Sequence, residues 1–477
     1  MAFQSVEYLL FLLVLLGTYF WLPRAAQNGL LLAASYVFYG WIHPWYVLLI
    51  GVHTLVDYSC GRLIGAARTR ARKRLFLTLS LLTSFSILAV FKYLGFFTEN
   101  ITTLFAALGI MPAPWVITIA LPAGISFFTF QSASYVIDVY RGRVEAERSL
   151  LDYADFVSFF PQLVAGPIER ADNLLRQMCA PRRPGLLQIR SGFVLIVWGL
   201  FEKLVIADSA ALIADKVFSL RDATFPVLWG GVLAFGVQIY ADFSAYTDIA
   251  RGSARLLGFE LRENFNHPYL AQSLPDFWRR WHMSLSTWFR DYVYIPLGGS
   301  RGGAGRTARN LLITFFLSGL WHGASWNFVL WGIFHGVLVA GWPHLAHRWP
   351  ILARSGGKPG AVFRVILTFA LVHIGWLLFR EHNIAMIGSG LTLNPLDAPT
   401  ADWRMGAGLA AEALLYGLPL MALFPLAQKF RLVPRSDDER LLTWRWTFLQ
   451  AATATLSVIG ILALRCSVGS DFIYFQF

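Results

Sequence analysis

The stretch SVEYLLFLLVLLGTYFWL, residues 5–22, holds a single charged residue, Glu7. A helix needs about 20 mostly apolar residues to cross the hydrocarbon core of a bilayer, and this run is nearly that long. No basic segment precedes it and no small-residue cleavage site follows it, as a signal peptide would require. The run therefore predicts a retained helix that crosses the membrane.

Apolar runs of similar length recur along the chain. They lie at about 28–43, 45–61, 75–97, 115–137, 188–207, 226–250, 311–325, 326–342, 363–379, 406–427 and 444–465. The whole chain is 56% hydrophobic and only 14% charged, whereas ordinary soluble domains carry about 25% charged residues. We predict an all-α, polytopic transmembrane helix bundle of about 11–12 spans. Because the linkers are too short for a separate soluble domain, we expect one membrane domain over residues 1–477.

Basic residues are concentrated in three connections between these runs, 62–74, 170–190 and 429–440. With twelve spans, all three connections fall on one side of the membrane together with 348–364. Since cytoplasmic loops carry an excess of Lys and Arg, we expect a multi-pass membrane protein with both termini outside. The net charge of +12 is thereby explained without nucleic-acid binding, which would need a clustered basic face or an RNA-binding motif.

Two apolar stretches do not fit as spans. Residues 153–169 are interrupted by Pro161, Gly166 and Pro167, and residues 264–300 mix aromatic side chains with charged ones. Proline removes a helical hydrogen bond, and a broken backbone is tolerated at membrane depth only where protein or a water-filled cavity surrounds it. We expect both stretches to be re-entrant or interfacial segments on the cytoplasmic side that shape a cavity.

Two histidines within apolar or aromatic surroundings are the candidates for chemistry. His322 lies in SGLWHGASWNFVLWGIFHG, residues 318–336, and His282 lies in PDFWRRWHMSLSTWFRDYVYIPLGGSR, residues 275–301. An ionisable group at membrane depth is costly and usually marks a functional site, and histidine can act as a general base near neutral pH. The alternatives are a hydrogen-bonded core histidine for His322 and an interfacial Trp/Arg belt for His282.

Other constellations point less clearly to chemistry. Asp242 and Asp248 could face a pore or only bond to helix neighbours. No metal site is expected, because His344 and His347 have no carboxylate or cysteine ligands nearby in the sequence. The chain also lacks a P-loop and a GxSxG nucleophile elbow.

Five ordered motifs carry a family resemblance that runs almost end to end. They are FFPQLVAGPIER (159–170), QIYADFSAYTDIARG (238–252), FWRRWHMSLSTWFRDYVYIPLGG (277–299), LWHGASWNFVLWG (320–332) and FIYFQF (472–477). With these motifs the chain resembles the membrane-bound O-acyltransferase (MBOAT) family, and within it the bacterial branch typified by alginate O-acetylation.

The resemblance implies a tunnel or funnel through the helix bundle and a role for each histidine. In the family the histidine of the WHG motif is catalytic, which is His322 here, and the histidine of the RRWH motif is the second functional one, which is His282. His322 would be the base, and we assign the tunnel lining to Trp321, Asn327, Tyr294 and Asp242. No bound cofactor is expected, since the donor would be acetyl-CoA or another acyl thioester arriving from the cytoplasm.

The resemblance also implies partners and leaves alternatives open. Members of this branch pass acetyl groups toward an exported polysaccharide such as alginate, and they usually work with a periplasmic SGNH-type acetyltransferase or accessory subunit. Membrane lipid surrounds them. The alternatives within the fold are peptidoglycan O-acetylation, D-alanine transfer to teichoic acid and lipid O-acylation. The non-enzyme alternative is a transporter with His322, Asp242 and Asp248 as a proton relay, although no inverted repeat is visible.

Overall fold

The computed structural model describes residues 1–41, 43–110, 120–353, 357–423, 444–466, 469–470 and 472–473. Within these residues the secondary structure is helical, with no β-strand. The predicted all-α class is therefore confirmed. The basic stretch 429–440, and parts of the expected runs at 115–137 and 406–427, lie outside the described residues.

The described residues up to Met178 form eight α-helices. They are α1 (Val6–Tyr19), α2 (Arg24–Gly40), α3 (Tyr46–Ala66), α4 (Arg70–Ala107, with a π-helical turn at Ala89–Tyr93), α5 (Ile125–Tyr140), α6 (Leu150–Ser158), α7 (Phe160–Leu163) and α8 (Arg176–Met178). A π-helical turn at Ala171–Leu175 leads into α8.

The later helices of the described residues include one that ends at His322 and one that begins directly after His282. They are α9 (Leu186–Phe201), α10 (Asp208–Phe218), α11 (Phe225–Leu256), α12 (Leu274–Phe277), α13 (Met283–Phe289), α14 (Ala304–His322), α15 (Trp326–Arg348), α16 (Gly357–Arg380), α17 (Ile384–Thr392), α18 (Thr400–Leu418) and α19 (Trp444–Leu464). Shorter π-helical or 3-10 turns lie at Glu202–Ala207, Pro268–Leu270, Arg290–Tyr294, Pro350–Leu352, Pro395–Asp397 and Pro419–Leu423.

Six of the described helices are long and apolar enough to cross a membrane. They are Tyr46–Ala66, Arg70–Ala107, Phe225–Leu256, Trp326–Arg348, Gly357–Arg380 and Thr447–Leu464. Other expected runs coincide with shorter helices, such as Val6–Tyr19. Only 11% of the apolar window of Thr447–Leu464 is buried by protein, and such an exposed apolar face requires lipid around it. The predicted count of about twelve spans stays a prediction.

The broken stretch at 153–169 forms two short helices whose freed backbone groups find partners inside the protein. Between α6 and α7, the Phe160 amide donates to the Ser35 hydroxyl at 3.1 Å. The Phe156 carbonyl accepts from the Gln162 side-chain amide at 3.2 Å and also from that of Gln131. A buried break is stable only when such partners exist. That this segment is re-entrant or interfacial stays a prediction.

The second broken stretch, 264–300, consists of short helical pieces that are fixed by Asn264. The Asn264 backbone carbonyl accepts from the Met283 amide at 2.9 Å, and its side-chain oxygen accepts from the Ser284 amide at 3.3 Å. Both amides belong to the first turn of α13 and have no partner within that helix. Asn264 therefore holds the turn that presents His282.

The chain divides into two compact units. One comprises Met1–Ile189 with Ser253–Arg262, and the other comprises Arg190–Gly252 with Glu263–Phe477. The core of the first unit contains fully buried aromatic side chains such as Tyr135, Phe156 and Phe160. The second has Trp281, Trp331 and Trp376 in its core and contains both histidines. The single-domain prediction stays a prediction.

Candidate active site

His322 is the last residue of α14, at a sharp turn into α15. The turn places an extended Gly323 between the two helices, and a side-chain carbon at Gly323 would collide with the Phe328 ring. His322 is only 5% exposed. The sequence thus brings a histidine to a helix end, where backbone geometry rather than a flexible loop fixes its position.

Trp321 connects the two candidate histidines. Its ring centroid lies 5.0 Å from that of His322 and 5.8 Å from that of His282, in edge-on geometry in both cases. His282 is 1% exposed and also contacts Phe243, with centroids 4.7 Å apart. The structure therefore brings His282, Trp321 and His322 together, although about forty residues separate the two histidines in the sequence.

Aromatic rings form the wall on another side of His322. The Trp331 and Phe379 centroids lie 5.0 and 5.2 Å from the His322 ring. Apolar rings around an imidazole exclude water from it, which strengthens the electrostatic interactions that it makes. The arrangement suits a proton-transfer residue whose imidazole is shielded from water.

Asn327 connects the start of α15 to the end of α16. Its side-chain amide donates to the backbone carbonyls of Leu378 and Phe379 at 3.2 and 3.1 Å. Those carbonyls belong to the last turn of α16, which has no partners within its own helix. Asn327 thereby holds Phe379 against His322, and its amide protons already have acceptors.

The sequence model of the membrane-bound O-acyltransferase family matches residues 31–343, which include both histidines and both broken segments. This chain belongs to the membrane-bound O-acyltransferase family. It is therefore an acyltransferase and a membrane protein, as the sequence predicts.

Three relatives show where this MBOAT protein stands in the family. It is 44% identical to the probable alginate O-acetylase AlgI of Azotobacter vinelandii, over 80% of this chain and 76% of the relative. It is 37% identical to the protein of the same description from Pseudomonas putida, over the full length of both chains. It is also 32% identical to the peptidoglycan O-acetyltransferase of Helicobacter pylori, over 96% of this chain and 94% of that protein.

Two residues assigned to the tunnel have their described contacts elsewhere. Asp242 forms an ion pair with Lys203 at 2.9 Å, and its carboxylate accepts a hydrogen bond from the Ile473 amide at 2.6 Å. The Tyr294 hydroxyl lies 2.8 Å from the Ser300 hydroxyl, in the loop that precedes α14. That loop is at the opposite end of α14 from His322. A tunnel role for either residue stays a prediction.

Several buried polar residues of the MBOAT protein were not identified from the sequence. Lys203 is 4% exposed and pairs with Asp208 as well as with Asp242. His335 packs against Trp331 and Trp278, with centroids 4.9 and 5.0 Å apart. The available signal was the same one that identified His322, an ionisable residue inside an apolar run.

His373 is another buried histidine that sequence reasoning missed. Its Nδ1 lies 2.8 Å from the Phe369 carbonyl, and its ring stacks against Tyr269 with centroids 5.6 Å apart. The hydroxyl of Tyr269 in turn donates to the Gly236 carbonyl at 2.5 Å and accepts from the Trp376 indole at 3.0 Å. These hydrogen bonds connect α16 to α11 through Tyr269, within the unit that contains both candidate histidines.

Glu169, in the motif FFPQLVAGPIER, forms hydrogen bonds within the protein that hold a loop in place. Its carboxylate accepts from the Arg262 amide at 2.6 Å and from the Asn173 side-chain amide at 2.7 Å. Burial raises the pKa of Glu169, and these hydrogen bonds partly oppose the rise. The motif therefore fixes the loop near the π-helical turn at Ala171–Leu175.

One group of side chains in the described part of the chain could approach a metal ion together. It consists of Glu147, Asp152 and Cys179, whose ligand atoms lie within 4.8 Å of one another. Asp152 already accepts from Arg24 at 3.3 Å and from Asn28 at 2.6 Å. These bonds account for the carboxylate without a metal.

Proposed function

We propose that this MBOAT protein transfers an acetyl group from a cytoplasmic thioester, such as acetyl-CoA, toward O-acetylation of an exported polysaccharide of the alginate type. The observation that carries the proposal is the buried pair of His322 and His282, which both contact Trp321. The relatives described as alginate O-acetylases support the acetyl group and the polymer. Acetyl transfer would take place at the bacterial inner membrane, in which the protein would have both termini outside the cytoplasm.

The proposed chemistry uses His322 as a general base. Its imidazole takes the proton of an acceptor hydroxyl while the hydroxyl oxygen attacks the thioester carbonyl carbon. When the tetrahedral intermediate collapses, the carbon–sulfur bond breaks and the thiolate leaves with the proton from the imidazolium. The acyl group ends on the acceptor oxygen as an ester. A thioester is already activated, so the protein needs only the base, the orientation and the exclusion of water.

His282, whose ring contacts Trp321, has a supporting role in this chemistry. Burial lowers the pKa of His282, which lies outside the spanning helices, to about 3. Its imidazole is therefore neutral at physiological pH and can accept or donate one hydrogen bond without adding charge to the site. We propose that it orients the acceptor or the thioester and that His322 performs the proton transfer.

The acetyl group would reach the polymer through a separate periplasmic protein of the SGNH type. A second candidate is peptidoglycan O-acetylation, which the Helicobacter pylori relative supports at 32% identity over nearly the whole chain. The two differ in the polymer and share the step at His322.

The test is transfer of labelled acetyl from acetyl-CoA in purified membranes that contain the SGNH partner and either alginate or peptidoglycan. Wild type is compared with His322→Ala and with the matched control His344→Ala, which changes an exposed histidine at the end of α15. We expect label on partner or polymer for wild type and His344→Ala, and a loss of at least 100-fold for His322→Ala.

Equal transfer by His322→Ala at normal protein levels would remove His322 as the base. No transfer by any of the three proteins, although all are folded, would exclude acetyl-CoA as the donor, and carrier-bound D-alanine would be tested next. Label on peptidoglycan alone would select the second candidate.

A further inference from the structure

A basic pocket lies in the second unit, beside the segment that leads to His282. Its volume is about 710 Å³, and residues of the 264–300 segment, the end of α15 and the start of α16 line it. Pockets that bind drug-sized ligands have volumes of about 300–1,000 Å³. The pocket is therefore large enough for a substantial part of a substrate.

Four cationic side chains and one carboxylate line this pocket: Arg279, Arg280, Lys358, Arg364 and Asp276. Asp276 is already paired with Arg280, with 3.1 Å between the carboxylate oxygen and Nε. Arg279 and Lys358 are exposed, and no ion pair joins either of them to another described residue. The lining thus has an excess of three positive charges, two of which can bind an incoming anion.

Arg364 makes the wall of the pocket rigid. Its guanidinium donates to the backbone carbonyls of Ile351 and Ala353 at 3.0 and 2.8 Å, and twice to the Gln272 side-chain oxygen at 3.2 and 2.8 Å. It is only 3% exposed. These bonds connect α16, the turn before it and the 264–300 segment, so the two exposed cations sit on a preorganised frame.

The uncharged part of the lining includes the apolar side chains of Trp342 and Leu352 together with the polar ones of Gln272 and Ser273. A tryptophan among cationic side chains suits a ligand that combines phosphate groups with a flat ring. The connection 348–364 is also among those expected on the cytoplasmic side, where a thioester donor would arrive. Asp276–His282 is a short segment that runs from the pocket lining to the ring contact with Trp321.

The geometry points to this pocket as the site that binds the phosphorylated nucleotide end of the thioester donor, with Arg279 and Lys358 as its phosphate ligands. The inference rests on the proposed function, because it takes the donor to be a thioester of the coenzyme A type. An anionic phospholipid headgroup has the same phosphate chemistry, and the experiment separates the two sources.

The experiment measures acetyl transfer by the full-length protein in nanodiscs, with its partner, from acetyl-CoA and from acetyl-pantetheine, which lacks the nucleotide and its phosphates. Lys358→Gln and Arg279→Gln are compared with Lys216→Gln, which removes an exposed positive charge from α10, outside the pocket. Each variant is measured in neutral phosphatidylcholine and in discs with phosphatidylglycerol added.

We expect each pocket variant to raise KM for acetyl-CoA about tenfold with kcat retained, since a charged hydrogen bond to phosphate contributes about that much. KM for acetyl-pantetheine should not change, and Lys216→Gln should behave as wild type. Unchanged KM for acetyl-CoA in both pocket variants, with transfer intact, would overturn the inference and leave the proposed function standing.

An effect that appears only in phosphatidylglycerol, and equally for both donors, would overturn the inference in favour of a lipid headgroup. Absence of transfer from either donor by wild type would instead refute the proposed function, and the two failures are thereby distinguished.

Discussion

His282 adopts a left-handed backbone conformation, with φ 41° and ψ 56°. Residues with a side chain pay about 1–2 kcal/mol in this region, while Asn and His tolerate it better than β-branched residues do. The conformation lets the chain turn between Trp281 and α13, so that the imidazole faces Trp321 and Phe243. Position 282 therefore requires both a residue that tolerates the left-handed backbone and a ring that packs against Trp321 and Phe243.

We expect His282→Asn to keep the fold. His282→Val should lower the free energy of unfolding by about 1–2 kcal/mol relative to His282→Asn, and with it the melting temperature of the purified protein. Both changes remove the imidazole, and both should reduce acetyl transfer. The measurement pairs thermal unfolding in detergent with the transfer assay. Full transfer by the stable His282→Asn variant would leave His282 with a structural role only.

Asn327 allows a second test at this scale. Asn327→Ala should destabilise the protein by about 1–3 kcal/mol, because the Leu378 and Phe379 carbonyls lose their donors in a buried position. Asn327→Asp should be worse, since its carboxylate would face two carbonyl oxygens. Thermal unfolding of the two variants checks the order. If Asn327→Asp were as stable as wild type, the amide would not be capping α16.

At the scale of elements, α14 and α15 pack closely because glycines lie at their interface. A side-chain carbon at Gly332 would lie 2.5 Å from the Phe315 carbonyl oxygen, and one at Gly319 would collide with the Phe328 carbonyl. Small residues permit such close approach between membrane helices, where packing replaces the hydrophobic effect as the main source of affinity. The position of His322 at the end of α14 depends on this contact.

Gly332→Ala should therefore push α15 away from α14, lower the melting temperature and reduce transfer. The matched control is Gly341→Ala in the same helix, where nothing lies within 4 Å of the added carbon and where alanine favours the helix by about 1 kcal/mol. Expression level, thermal unfolding and transfer of the two variants are compared. Equal behaviour of the pair would mean that the α14–α15 interface can relax without cost.

At the scale of the whole molecule, a buried ion cluster fixes the C-terminal segment. The Lys203 ammonium lies 2.9 Å from both Asp208 and Asp242, and it donates to the Ser470 carbonyl at 2.8 Å. The Asp242 carboxylate also accepts from the Ile473 amide. Phe472 then stacks against Tyr246, with centroids 4.6 Å apart. Residues more than 200 positions apart in the sequence meet at this cluster.

Lys203→Met should release the segment, because it leaves two carboxylates buried without their cation, at a cost of about 3–5 kcal/mol. Lys203→Arg should restore part of the stability, and Lys216→Met, at an exposed site, should have no effect. Protease sensitivity of a C-terminal tag and thermal unfolding are the measurements. A tag that stays equally protected in Lys203→Met would show that other contacts hold the segment.

The orientation in the membrane is also a property of the whole chain. Cysteine labelling in a Cys179→Ser background should modify Arg68→Cys only from the cytoplasmic side and Leu396→Cys only from outside, since we predict that the basic connections face the cytoplasm. Both positions are exposed, Leu396 at 90%. Labelling of both from one side would contradict the predicted topology.

The sequence by itself determined the helical membrane class, the two broken segments and the candidacy of His282 and His322. Each of these depends on local properties, namely the length of apolar runs, the position of prolines and the cost of an ionisable group in lipid. The α14–α15 turn at residues 323–325 was likewise visible as a boundary between two runs.

Only the tertiary structure decided which distant side chains meet. Trp321 contacts both histidines, Asn327 donates to carbonyls at the end of α16, and Lys203 pairs with Asp242. The sequence around Lys203 does not identify the residue with which it pairs, because pairing between helices depends on how their faces pack. The length of an apolar run determines that a segment becomes a membrane helix, and the charge, size and hydrogen-bonding groups of its neighbours determine where that helix lies.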